Sequence, residues 1–315
     1  MPNRSHFNPA HRMMNYLQKS GKRHSSDVRW KEPEMTYHLI KKGDVVDVLS
    51  ELPAASVQLM VIDPPYNMDL ATWDRYTDYI GWAKGWLCDI ERVLSESGNA
   101  VIFGGIQYQD EHGGDLLEIM HYLRHNMRLR LVNTIIWNYS TGMGAHRFFA
   151  NRHEELVWYA KSEKYYFDLD AVREKFDQST LEQYMKDKRL NPESLKKGKN
   201  PGNVWRMERL HAKSKERVGH PTQKPAEVIR RIVRALSYPG SLVVDPFAGS
   251  GVTARVCIEE GRHSISSDSD SSVVPHLDLQ LRLIEKKACR YQMVKERSTG
   301  EFLKLLACAQ PTSNP

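Results

Sequence analysis

The stretch Val57-Gln-Leu-Met-Val-Ile-Asp-Pro-Pro-Tyr-Asn-Met68 constrains the chain most. Val57, Leu59, Met60, Val61 and Ile62 form a short, β-branched apolar run, the pattern of a strand covered on both faces. Such strands belong to parallel sheets of α/β proteins, whose ligands bind beyond the carboxyl ends of the strands. Asp63 stands at that end. Pro64 and Pro65 then fix φ and remove two backbone donors, and the residue before a proline is pushed out of the helical region. The turn is rigid and rich in acceptors, namely the Asp63 carboxylate and nearby carbonyls, with the flat ring of Tyr66 beside them. Taken alone, an Asp-Pro-Pro is equally well explained as a strand-ending turn with a capping acid.

A second punctuated stretch runs from Gly240 to Asp268. A strand (242–245) meets a glycine-rich turn, a helix follows (252–260), and a second strand ends in Asp268. This is half of a nucleotide-binding βαβ unit, with Gly249 and Gly251 letting the backbone approach a ligand. Asp268 is placed to accept from a ribose hydroxyl. Gly249-x-Gly251-x-x-Ala254 formally fits the dinucleotide fingerprint, so a nicotinamide-dependent oxidoreductase is one reading. The turn, however, is preceded by Asp245-Pro246-Phe247. An acid there repels a pyrophosphate and suits a cationic ligand such as S-adenosylmethionine, which has a ribose, an ammonium and a sulfonium.

The 315 residues carry a net charge of +6, unevenly spread. Lys186 to Arg217 holds eleven Lys or Arg against four acids, a local +7, while the rest sums to −1. A basic segment on a near-neutral body has the footprint of a polyanion partner, although a solvated lysine-rich loop has the same charge. Pro, Gly and Asn are interleaved in it, so it reads as loop, and Trp205 beside Arg206 suits nucleic acid. The four cysteines form no C-x-x-C, which suggests neither a zinc site nor a disulfide framework and makes a reducing cytosol the simplest setting. No apolar run approaches the ~20 residues of a membrane span. The N-terminal stretch lacks the apolar core of a secretory signal.

Elsewhere, strands are expected at 36–40, 98–105, 131–139 and 155–162, the last two as an antiparallel pair. A short helix is expected after Gly43-Asp44. Ile80, Ala83, Leu87, Ile90 and Leu94 fall at helical spacing, as do Ile229, Ile232, Val233 and Leu236. Residues 163–219 lack sustained periodicity and read as a loop-rich insertion with one helix near 178–187.

Taken together, Asp63-Pro64-Pro65-Tyr66 and Phe247-Ala248-Gly249-Ser250-Gly251 resemble the catalytic D-P-P-Y and cofactor F-x-G-x-G motifs of the amino-methylating DNA methyltransferases. The order, with catalytic motif, basic segment and cofactor motif in turn, is similar to the permuted beta class, adenine-N6 branch. His220-Pro-Thr-Gln-Lys-Pro225 and Gly43-Asp44 match that class too. The resemblance extends over nearly the whole chain after the tail, through stretches such as "RFFANRHEE", "MKDKRLNPES" and "ERVGHPTQKPA". It implies a doubly wound, mostly parallel Rossmann-like α/β sheet with a permuted motif order and a target-recognition insertion. The expected layout is a basic flexible tail (1–35), then one methyltransferase domain. Its parts are a catalytic half (36–140), the insertion (141–219), a cofactor half (220–270) and a C-terminal helical region (271–315).

The function implied is methyl transfer from S-adenosylmethionine to adenine N6 in double-stranded DNA, without a metal. The most similar stretches belong to an enzyme that modifies GAATTC in a type II restriction–modification system. That implies a partner restriction endonuclease, a bacterial cytoplasmic location, and a monomer or homodimer. Asp63, Pro64, Pro65 and Tyr66 are the implied catalytic residues. The implied cofactor residues are Asp44, Asp63, His220, Pro221, Thr222 and Lys224 on one side, and Asp245, Phe247, Ala248, Gly249, Ser250, Gly251, Thr253 and Asp268 on the other. Helix capping explains Asp44 and Thr222 as well. Trp137, Asn138 and Tyr139 end a strand near the catalytic edge, as core or as base contacts. Arg147, Arg152, Lys188, Arg189, Lys196, Lys197, Lys199 and Arg206 are the expected DNA contacts. Cytosine-N4 methylation, whose enzymes usually carry Ser in place of Asp63, and sequence-specific DNA binding without catalysis are the rival readings.

Overall fold

The computed structural model describes residues 28–68, 74–105, 116–142, 144–147, 149–284 and 290–309. Most of the expected basic tail (1–27) lies outside them. Nine strands form one sheet: β1 (Met35–Lys42), β2 (Val57–Ile62), β3 (Leu94–Gly104), β4 (Arg130–Asn138), β5 (His153–Ala160), β6 (Val204–Arg206), β7 (Leu242–Asp245), β8 (His263–Asp268) and β9 (Arg290–Lys295). Their spatial order is β6-β4-β5-β3-β2-β7-β8-β1-β9. β5 is antiparallel to both β3 and β4, and every other pairing is parallel. The expected antiparallel pair is therefore β4 with β5.

β2 is buried at every position because it pairs with β3 on one side and β7 on the other. Its side chains alternate between two cores. Met60 and Ile62 join Ala83, Trp86, Leu87 and Ile90 of the helix Tyr79–Val93. Leu59 and Val61 join Ile229, Ile232 and Val233 of the helix Ala226–Leu236, and Val256 of the helix Val252–Glu259. Helices thus cover both faces of a mostly parallel sheet, the doubly wound arrangement. No helix among the described residues is long and apolar enough to cross a membrane.

Two stretches differ from expectation. The basic segment is not all loop. Pro192–Lys197 is a helix whose first N–H groups are met by the Asn191 side chain. It stops at Gly198, where φ is +102° and a Cβ would lie 2.5 Å from the Glu174 carbonyl. Val204–Arg206 then adds β6 to the sheet beside β4. The C-terminal stretch, expected to be helical, has the helices Val273–Leu281 and Thr299–Ala309, but between them β9 pairs with β1.

Candidate active site

β2 and β7 are neighbours, so Asp63 and Asp245 leave the same edge of the sheet side by side. The turn after β2 is fastened from below. The Tyr79 hydroxyl donates to the Pro65 carbonyl at 2.8 Å, so that carbonyl is not the open acceptor the prolines suggested. Asn67 adopts φ +56°, a conformation its short polar side chain tolerates better than most. Its N–H donates to Asp74 at 2.7 Å, and its side chain exchanges hydrogen bonds with the Tyr76 backbone.

Asp63 is held from two directions. Lys224 Nζ lies 3.0 Å from Oδ2, and the Tyr66 hydroxyl donates to Oδ1 at 2.9 Å. Lys224 also reaches Glu154 Oε2 at 3.2 Å, and its ammonium sits over the rings of Tyr66 (5.1 Å) and Phe103 (5.4 Å). Burial works to lower the Lys224 pKa, but Asp63 and Glu154 outweigh it and hold the ammonium above the ordinary lysine range. Lys224 therefore meets Asp63 directly, and Thr222 caps no helix. The helix Ala226–Leu236 starts behind Pro225 with no side-chain cap, and Thr222 instead faces His220 Nδ1 at 3.5 Å.

The glycine turn closes the other side. Asp268 accepts from the N–H groups of Gly249 (2.8 Å) and Asp270 (2.9 Å). Gly249 has φ +43° and faces His220, whose Nε2 a Cβ would meet at 2.9 Å. Gly251 has φ +74° and packs on the backbone of Leu277, so a Cβ there would be 3.1 Å from Leu277 Cα. Burial pushes the Asp245 carboxyl up to about 7, against the Phe247 N–H, which donates to Oδ1 at 3.1 Å and favours the charged form. Burial, helped by His276 and Lys224, brings His220 down to about 4, so its ring is neutral at pH 7.

Together these groups line one cleft of about 1140 Å³, its open mouth included. Its lining takes in Asp44, Asp63, Pro64, Pro65, Tyr66, His220, Thr222, Lys224, Asp245, Phe247, Ala248, Gly249, Ser250, Thr253 and Asp268. Pro221 and Gly251 lie outside it. Pro221 is exposed beside the cleft, and Gly251 is turned toward Leu277. Asp44 caps the helix Val45–Ser50 through Val46 N–H (2.8 Å), and it also lines the cleft. Phe247 packs edge-on against Trp86 at 5.4 Å and Trp82 at 6.0 Å, and Trp82 stacks on Tyr76 at 4.2 Å. The result is an aromatic wall facing several carboxylates, a surface suited to a flat heterocycle that carries positive charge.

The expected DNA contacts are exposed but not all unpaired. Arg147, Lys188 and Arg206 face solvent. Arg152 donates to the Ser140 carbonyl at 3.1 Å. Arg189 pairs with Asp187, Lys196 with Glu193, Lys197 with Asp170 and Lys199 with Glu174. Exposed pairs of this kind are worth little. Trp205 is a correction: it is buried beneath Arg231, not presented to a base. Trp137 is core too, its indole N–H donating to the Met207 carbonyl at 2.8 Å.

Glu154 escaped the sequence reading because only the reversal of β5 brings its start to the edge where β2 ends. The one available signal was a second acid beside His153 where an apolar run begins. Asp74, Tyr76 and Trp82 escaped it too, since the helix they lead into or belong to reads as plain core. Among the described residues no group of His, Cys, Asp and Glu is arranged to hold a metal ion.

Comparison with known proteins agrees with this geometry. The N6/N4 DNA methylase family matches residues 57–277. The type II methyltransferase M.BglII of Bacillus subtilis is 31% identical over 245 residues, 77% of this chain and 68% of the relative. Among solved structures, the cytosine-N4-specific PvuII DNA methyltransferase superposes with a TM-score of 0.61 at 16% identity, over 89% of this chain and 95% of that one. A DNA modification methylase of Thermus thermophilus, solved with S-adenosyl-L-methionine and described there as putative, does so with 0.55 at 22%, over 82% and 99%. With the family spanning both the Asp63 turn and the glycine turn, the chain belongs to the N6/N4 DNA methylases.

Proposed function

We propose that the protein transfers a methyl group from S-adenosylmethionine to the N6 amine of adenine in double-stranded DNA. The observation that carries this reading is the placement of Asp63 and Asp245 on adjacent strand ends within one acidic, aromatic-walled cleft. The cofactor fits the residues present. Asp268 suits a ribose hydroxyl, ionised Asp245 an ammonium, and the Tyr76–Trp82–Phe247 wall an adenine. When bound, the cofactor supplies the electrophilic methyl group. The protein's own residues act on the nucleophile. The exocyclic amine is weak because its lone pair is delocalised into the ring. Asp63, with the Pro64 carbonyl as second acceptor, draws the amine hydrogens and favours the localised lone pair. Tyr66 offers the ring on which an extruded base stacks. Fixing these acceptors on a proline turn supplies orientation.

Asp63 favours adenine over cytosine-N4, whose enzymes usually carry Ser there. The PvuII likeness is one of fold and keeps N4 methylation as the second reading. The specificity proposed is GAATTC, from the resemblance of stretches such as "MKDKRLNPES" to the RsrI methyltransferase. A type II restriction–modification setting, a partner endonuclease, and DNA contact through the basic segment are proposed with it.

The test uses tritiated S-adenosylmethionine and two duplexes, one with GAATTC and one with that site scrambled, followed by digestion to nucleosides. N6-methyladenine from the first duplex alone is the expected result. Label in both duplexes discards the site, and N4-methylcytosine discards the base. In the same assay Asp63→Ala abolishes transfer while cofactor binding persists. Loss of binding instead would give Asp63 another role.

A further inference from the structure

Glu154 is the second residue of β5, and its side chain is only 14% exposed. Its Oε2 lies 3.2 Å from Lys224 Nζ and 3.2 Å from the Tyr66 hydroxyl. The same two groups hold Asp63, at 3.0 Å through Oδ2 and 2.9 Å through Oδ1. Asp63, Tyr66, Glu154 and Lys224 thus close a ring of four side chains drawn from three distant parts of the chain.

Two properties of this ring ask for an explanation. The first is charge. Two carboxylates share one ammonium, where a single carboxylate would satisfy it. A second, largely buried acid is costly to keep. The second property is the hydroxyl. Tyr66 has one hydrogen to donate, and two carboxylates stand within reach of it. Donated to Asp63, that hydrogen covers Oδ1 while Lys224 covers Oδ2, so both oxygens of the amine acceptor are engaged. Donated to Glu154, it leaves Oδ1 open, and Tyr66 still has a charged partner.

We propose that Glu154 is a positioning residue for methyl transfer, taking over the Tyr66 hydroxyl hydrogen as the target amine arrives and so releasing Asp63 Oδ1 to that amine. Glu154 also shares Lys224, so Asp63 keeps more of its acceptor strength than it would as the sole partner of a buried ammonium. The exchange moves one hydrogen bond, and no covalent bond is made or broken. The assignment rests on methyl transfer to an exocyclic amine at Asp63. The competing role, a mere partner for Lys224, makes a different prediction, because it does not involve the Tyr66 hydroxyl.

The experiment is a double-mutant cycle on the full chain: wild type, Glu154→Gln, Tyr66→Phe and the pair. For each, kcat is read from tritium transfer to a duplex, and S-adenosylmethionine affinity is measured separately. Glu154→Gln is expected to lower kcat by up to about 100-fold, at or below the scale of losing a group that touches the reacting atoms because Glu154 acts through Tyr66, with cofactor affinity held within about twofold. In the Tyr66→Phe background, where no hydroxyl hydrogen needs a new home, it costs less than about threefold. An unchanged kcat overturns the assignment. Equal losses in both backgrounds overturn it in favour of the Lys224 partner role, and loss of cofactor binding overturns it in favour of a structural one. If the wild type labels no duplex, the functional reading fails and takes this assignment with it. Label from the wild type and an indifferent Glu154→Gln sinks the assignment alone.

Discussion

Asp245 is the residue whose ionisation has most to say about the cofactor. Burial sets it at about 7 instead of its ordinary 3.8, with Asp63 and Asp268 adding repulsion. A carboxyl with a raised folded value favours the fold when protonated. Its contribution to stability is present below about pH 4 and lost as pH rises to about 7. Binding runs the other way, because the ammonium of S-adenosylmethionine prefers the ionised acid. Affinity should be full above about pH 7 and weaken by up to tenfold per unit below it. His220, at about 4, does not titrate in that window. Cofactor titrations between about pH 6 and pH 8 on the wild type and Asp245→Asn check this. The wild type should slope and the variant should be weaker and flat, while a flat wild type would separate Asp245 from the ligand's cation. At Gly251, φ of +74° and the 3.1 Å approach to Leu277 predict that Gly251→Ala costs about 1–3 kcal/mol, read as a lower urea midpoint. Asp63, Asp245 and the two glycines were legible because prolines and glycines punctuate the strand ends where they sit. Glu154 was not, since nothing local distinguishes it from any acid at the start of a strand.

At the scale of elements, β6 is a three-residue strand with a large task. Its Trp205 is buried, and through it the +7 segment is anchored to the sheet instead of swinging free. Trp205→Ala is expected to loosen that anchor. Duplex affinity should fall at least about tenfold, while the cofactor site, several strands away, keeps its affinity within about twofold. Parallel titrations with duplex and with S-adenosylmethionine separate the two effects, and equal losses would mean that the substitution unfolds more than this edge. The elements legible beforehand were those with sustained periodicity, β2, β3 and the helices Tyr79–Val93 and Ala226–Leu236. β6 and the helix Pro192–Lys197 were not. One depends on a distant partner strand, and the other on a side-chain cap within a stretch dense in Gly, Pro and Asn.

For the whole molecule, the pairing of β2 with β7 makes the halves carrying the Asp63 turn and the glycine turn one sheet, although about 180 residues separate them in the chain. S-adenosylmethionine at 100 times its Kd should add about 2.7 kcal/mol to the whole fold and raise a single calorimetric transition. Two transitions, only one of them responding, would mean the halves melt apart. The permuted motif order was legible because each motif carries its own punctuation. The pairing that joins the motifs was not, because strand order is a non-local property.

The register of the outer strands carries a consequence for fidelity. Trp205 pairs with Trp137, and Trp137 pairs with Glu154, so one straight row of residues runs from the basic segment to the ring around Asp63. If the segment holds the duplex as proposed, one that seats badly on it would load that row and disturb the chemistry before it is released. Discrimination between right and wrong sites would then be lodged in turnover more than in affinity: near-miss duplexes are held almost as well as the true site and left unmethylated.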